Sequence, residues 1–160
     1  MSFVSILTDE KKKIREFKYI ILINNEFVEE VNHYYSIIHD KNGKQTKLHL
    51  VCEMTEIESY IRRLTQSIKH ILELVPYDYH SYCLFTIKSN NVYFLNLLND
   101  WMPDWKGKSF RNHPNNEQLL ILQNLLDQIH YKTMIVTTIQ SIIPDSSYPR
   151  NDEIIVKSCG

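Results

Sequence analysis

The period of hydrophobic and polar positions changes several times along this chain, and each change marks a predicted element. Lys18 to Ile23 is a short isoleucine-rich run, and Val31 to Ile38 mixes Tyr, Val and Ile with polar residues; both predict strands. Lys41-Asn42-Gly43-Lys44 is the strongest hairpin-turn signal in the chain, and Lys47 to Cys52 is the returning strand. A three-strand antiparallel meander therefore opens the domain. From Thr55 the spacing lengthens: Ile57, Tyr60, Ile61, Leu64, Ile68, Ile71 and Leu72 recur at three and four residues. Glu58, Arg62, Arg63 and Lys69 take remaining positions, which predicts a long amphipathic helix ending near Pro76.

Tyr82 to Ile87 is a compact apolar run that predicts a buried strand. A helix from about Asn90 follows, with Tyr93, Phe94, Leu97, Leu98 and Trp101 in its apolar band and Pro103 ending it. Asn115 to His130 reads as a further helix, with Leu119, Leu122, Leu126 and Ile129 on one face; Thr133 to Ile139 is β-branched enough for a fifth strand. A polar turn carrying Pro144 and Pro149 leads to a last short helix expected from about Asn151. A meander followed by βαβ crossovers makes a mixed sheet flanked by helices, an α/β fold. No repeat, low-complexity tract or linker interrupts it. Residues 1–17 form an N-terminal extension that can pack as an extra strand and short helix, and 18–160 form one domain.

Composition narrows the function classes. At 160 residues and 43% hydrophobic content the chain can close one core. A net charge of -1 makes no global electrostatic case for nucleic-acid binding, so any such contact must come from local patches. Cys52, Cys83 and Cys159 are odd in number, far apart and without CxxC spacing, which suggests neither a disulfide framework nor a zinc site and fits a reducing interior. The N-terminus carries Asp9, Glu10 and three lysines rather than a signal-peptide pattern, and no apolar stretch approaches the ~18 residues of a membrane span. A soluble intracellular protein, cytoplasmic or nuclear, is expected. The chain has no alanine and abundant Ile, Asn, Lys and Tyr, a bias that resembles coding from an AT-rich genome such as that of many large DNA viruses or protists.

The element order, taken with Asn90-Asn91-Val92-Tyr93-Phe94 and the following Trp101-Met102-Pro103-Asp104-Trp105-Lys106, resembles the type 1 ribonuclease H family. These segments look like that family's aspartate-led helix and its tryptophan-rich basic handle. Glu56, followed by Ile61 and Leu64, resembles the opening of the family's first helix, and Asp152-Glu153-Ile154 its terminal aspartate. The resemblance runs from about Lys18 to Lys157. It implies a five-stranded ribonuclease-H-like sheet and cleavage of the RNA strand of an RNA–DNA hybrid, with two magnesium or manganese ions held by four carboxylates.

Carried over residue by residue, the four ligand positions fall on Asn24, Glu56, Asn90 and Asp152. Two are amides, which leaves two negative charges against two divalent cations. Glu26, two residues from Asn24 and on the same face of an ideal strand, could supply one ligand, and Asp9 could serve in another register. Asn25-Glu26-Phe27-Val28 replaces the family's glycine-rich turn, and Ile139 to Tyr148 lacks its histidine. The resemblance therefore implies a degenerate site, or one with amides introduced to trap substrate. Helix-end roles compete for the same residues: Glu56 and Asp152 suit helix N-termini, where a carboxylate is worth ~0.3–1 kcal/mol, and Asn24 and Asn90 suit turns or caps.

Trp101, Trp105, Lys106, Lys108, Phe110, Arg111 and His113 interleave aromatic and basic side chains. Such a strip can grip a nucleic-acid backbone, or Trp101 can sit in the core and the lysines on a solvated loop. The expected partners are an RNA–DNA hybrid or duplex, or a protein of a replication or reverse-transcription assembly. Three functions follow: a nucleic-acid-associated pseudoenzyme, an active endoribonuclease, or a structural protein–protein subunit.

Overall fold

The computed structural model describes residues 17–102, 114–136 and 153–158. Along the chain come β1 (Lys18–Leu22), β2 (Val28–Glu30), β3 (His33–Asp40), β4 (Gln45–Val51) and α1 (Glu56–Leu74). After a 3-10 segment, Tyr77–Tyr82, come β5 (Leu84–Ser89), α2 (Val92–Asn96) running into a π-helical turn (Leu97–Trp101), α3 (Asn116–Leu126), β6 (His130–Ile135) and β7 (Glu153–Ser158). The described residues form a seven-stranded sheet in the order β6-β5-β1-β3-β4-β7, with β2 paired to β3 alone. The mixed sheet flanked by helices is the α/β class expected. It has more strands than the five predicted.

The meander is antiparallel as its turn chemistry requires. Gly43 has φ 83°, a left-handed value that costs glycine little, and Asp40 Oδ1 accepts from the backbone N–H of Asn42 and Lys44 at 2.9 Å each. A second tight turn was not foreseen. Asn32 has φ 67°, so the stretch predicted as one strand from Val31 turns there and β3 starts at His33, with β2 as an extra rung. β5 and β6 run parallel to β1, as crossovers through helices demand.

α1 starts where its cap lies: Thr55 Oγ1 accepts from the Glu58 N–H at 3.3 Å, with Glu56 and Glu58 in the acidic first turn. Its buried residues extend beyond one stripe, because the helix packs on β3 and β4 and also on α3. Ile61, Leu64, Ile68 and Ile71 join Ile21, Ile38, Phe85, Ile87, Leu119 and Leu122 in the main core. Truncating one of these leucines or isoleucines to alanine typically costs about 2–5 kcal/mol. A smaller cluster of Leu22, Phe27, Ile37 and Val136 contains sheet residues of the opposite parity.

Three further predicted elements differ. The helix expected over Asn115 to His130 is shorter, with Asn115 at its N-cap and Leu126 at its end, because His130 belongs to β6. β6 therefore begins three residues before Thr133; its place is set by β5, since the His130 N–H donates to the Cys83 carbonyl at 2.9 Å and the Val136 N–H to that of Ser89 at 3.0 Å. The terminal helix is instead strand β7, which runs parallel to β4 with Glu153 opposite Thr46 and Ser158 opposite Val51. Ile154-Ile155-Val156 is a β-branched run, and β4 offered its edge. Of the N-terminal extension only Phe17 lies within the described residues, where it stacks on Tyr79 at 5.4 Å. No helix among the described residues is long and apolar enough to cross a membrane.

Candidate functional site

β1 and β5 are neighbours and parallel, so the residues just beyond their C-terminal ends meet. These are Asn24, Asn25 and Asn90. Asn24 is 1% exposed, and both ends of its amide are engaged. Its Oδ1 accepts from the Asn90 backbone N–H at 3.0 Å, and its Nδ2 donates to the carboxylate of Glu26. Asn90 answers on the exposed side: its Oδ1 accepts from the Asn25 N–H at 3.2 Å and its Nδ2 donates to Asn25 Oδ1 at 2.7 Å. The two strand ends are thus tied through three asparagines and one glutamate.

Arg63 of α1 lies behind this lock. It is 1% exposed, although the helical pattern placed it among the polar positions. Nη1 donates to the carbonyls of Asn24 and Tyr35, both at 3.1 Å, Nε to the Ser59 carbonyl at 3.2 Å, and Nη2 to Ser59 Oγ at 3.1 Å. Tyr60 presents its ring 4.6 Å from the guanidinium carbon. Burial lowers the Arg63 pKa to about 10, so it stays charged at neutral pH. The fixed fork explains the residue type: several acceptors at set angles are met by one planar cation. No sequence signal distinguished Arg63 from its neighbour Arg62, which pairs with Glu58 at 3.3 Å in the helix turn.

Glu56 is exposed at the first turn of α1. Its backbone carbonyl accepts from Ser59 Oγ at 2.7 Å, and its charge acts on both Arg63 and Tyr60. Tyr60 is fully buried, which raises its pKa. The Asn91 and Arg63 side chains partly offset that shift, but the phenol oxygen makes no hydrogen bond of normal geometry. The helix-cap role considered for Asn90 belongs to the next residue: Asn91 Oδ1 accepts from the Phe94 N–H at 3.0 Å and starts α2.

The structure therefore joins Asn24, Glu26 and Asn90 directly and links Glu56 to them through Ser59 and Arg63. Asp152 and Asp9 lie outside the described residues, as do Trp105, Lys106, Lys108, Phe110, Arg111 and His113. With the terminal helix replaced by β7, the helix-end role considered for Asp152 loses its helix. Trp101 is part-buried against the main core and meets Tyr93 edge-on at 4.8 Å. Among the described residues no group of three or more His, Cys, Asp or Glu could hold a metal ion. The Asn24 oxygen is already an acceptor, and a buried guanidinium is fixed to the same residue's carbonyl. These residues do not fit a two-cation centre.

Neither a protein-family model nor a curated protein matches the chain. Solved structures do. The foamy viral protease-reverse transcriptase in complex with an RNA/DNA hybrid aligns with a TM-score of 0.52 at 14% identity, over 80% of this chain and 19% of that one. Native Prototype Foamy Virus protease-reverse transcriptase aligns at 0.50 and 13%, over 72% and 17%. The foamy viral enzyme in complex with dsDNA aligns at 0.53 and 12%, over 80% and 88%. This chain thus spans less than a fifth of the first two. The likeness is one of fold, an α/β mixed sheet with flanking helices consistent with the ribonuclease-H-like architecture.

Proposed function

We propose that this chain is a ribonuclease-H-like, nucleic-acid-associated module that does not hydrolyse efficiently and acts within a replication or reverse-transcription assembly. The observation that carries this reading is the lock between Asn24 and Asn90. Two positions at which the family resemblance implies carboxylates hold amides, and the Asn24 amide is saturated by Glu26 and the Asn90 N–H. Glu26 is committed to Asn24, and Glu56 brings one further carboxylate, too little charge for two divalent cations. Two of the similar structures are complexes with an RNA/DNA hybrid and with dsDNA, which supports nucleic acid as the partner class. Trp101, Trp105, Lys106, Lys108 and Arg111 are the proposed handle. Glu56 and Asp152 are the vestigial metal positions for Mg2+ or Mn2+, and an intracellular, viral setting suits the reading.

Incubation with an end-labelled RNA–DNA hybrid and magnesium or manganese tests it. Binding without metal-dependent cleavage is the expected result. Robust cleavage abolished by Glu56→Gln would overturn it in favour of an active endoribonuclease, with Glu26 or Asp9 completing the ligand set. Absence of all nucleic-acid binding would leave a structural subunit.

A further inference from the structure

The face of the sheet away from α1 carries a concentration of positive charge that net composition hides. Strand pairing places Lys18, Ile20 and Leu22 of β1 beside Leu84, Thr86 and Lys88 of β5, and these beside His130, Lys132 and Met134 of β6. The alternate positions, including Ile21, Phe85 and Ile87, point into the core under the helices. Nine side chains thus share this part of the face, and none is a carboxylate. Lys18 and Lys132 are exposed, Lys88 is part-exposed, and none of the three makes an ion pair among the described residues.

From the register, Lys88 and Lys132 stand about 8 Å apart and Lys18 and Lys88 about 14 Å, given strands ~4.8 Å apart and a ~3.3 Å rise. Over about 14 Å one strand of a duplex presents roughly four phosphates at its 3.4 Å rise. Each lysine can therefore meet a different phosphate as a flexible point charge. Between them Ile20, Thr86 and Met134 offer neutral surface to sugars. Three cations on one part of a sheet, without an ion pair among the described residues, repel one another until an anion sits among them, in a chain whose total charge is -1.

We infer that Lys18, Lys88 and Lys132 form a phosphate-backbone contact surface for nucleic acid, made of residues other than those of the asparagine lock and of the proposed handle. It is independent of base sequence, since lysine on phosphate reads charge alone. The inference rests on the nucleic-acid reading above and locates the contact.

The test is fluorescence anisotropy with a labelled RNA–DNA hybrid, a labelled DNA duplex and a labelled polyglutamate peptide over a salt series. The full chain is compared with the triple variant Lys18→Gln, Lys88→Gln, Lys132→Gln and with the single variant Lys132→Gln. The triple variant should bind either nucleic acid at least tenfold more weakly. Its slope of log affinity against log salt should be shallower by about 2–3, close to one per phosphate released. Circular dichroism and melting checks that the variants fold; should the triple variant not fold, Lys132→Gln must still weaken binding and flatten the slope by about 1. Wild-type binding that these variants leave unchanged overturns this surface while the nucleic-acid reading stands. Failure of the unmodified chain to bind either nucleic acid overturns both, and lysine-dependent capture of polyglutamate would then assign the patch to an acidic protein segment.

Discussion

The backbone N–H of Asn90 donates to the side-chain oxygen of Asn24 at 3.0 Å, across 66 residues of sequence, and so closes the end of the sheet where β1 and β5 meet. A carboxylate at position 24 could accept that bond but could not donate to Glu26. Asn24→Asp should therefore set a buried carboxylate against the exposed one of Glu26 and lower stability by about 1–3 kcal/mol. Hybrid cleavage should not appear in the same variant. Urea denaturation and the cleavage assay check the two halves; a stable variant that cleaves would mean the amide alone holds the site silent.

Arg63 supplies donors to three backbone carbonyls and one hydroxyl, so its loss strands acceptors that water cannot reach. Arg63→Ala is expected to cost about 3 kcal/mol or more, and Arg63→Lys less but still more than 1, because an ammonium cannot reproduce the fork. Arg62→Ala, which breaks a part-exposed pair four residues apart, should stay within about 0.5 kcal/mol. Comparable losses at both positions would show that Arg63 does not bear on the lock.

The buried Cys83 thiol has its pKa pushed up by burial to about 11 from 9.0. Unfolding exposes it to ionise near its ordinary value, so the stability it contributes is present below pH 9 and is lost as pH rises toward 11. The loss attributable to this group is up to roughly 2 kcal/mol. Tyr19, Tyr60 and Tyr131 shift in the same direction and add to the decline. Denaturation curves between pH 8 and pH 11 should fall less steeply for Cys83→Val than for the unmodified chain. Parallel curves would remove the thiol from the account.

Strand β7 covers the edge of β4 through a parallel ladder from Thr46–Glu153 to Val51–Ser158. Of Ile154→Pro and Ile155→Pro, the one whose N–H faces β4 should remove a ladder donor and speed amide hydrogen exchange in β4 by an order of magnitude or more, while α1 stays protected. Unchanged exchange at Leu48 and Leu50 would argue against the pairing.

Much of the fold was legible in the sequence because it follows from neighbours. The three- and four-residue spacing from Ile57 to Leu72 is a property of one helix, and Asn42-Gly43 suits a hairpin wherever it stands. The apolar strands and the meander come from the same short-range rules. The amide character of positions 24 and 90 could also be read directly, which made an impaired site an early expectation.

What the sequence by itself determined were these local conformations and the chemical kinds of residue at the candidate site. Tertiary structure alone decided which partners they found. Glu153–Ser158 became a strand because the edge of β4 was there to pair with it, and β6 began at His130 because β5 fixed its register. Arg63 and Arg62 are adjacent and chemically identical, yet one is buried against the carbonyls of Asn24, just beyond β1, and of Tyr35 in β3, while the other pairs with Glu58 in its own helix. That division, like the bond from Asn90 to Asn24, depends on groups tens of residues apart meeting at a distance and angle that only packing supplies.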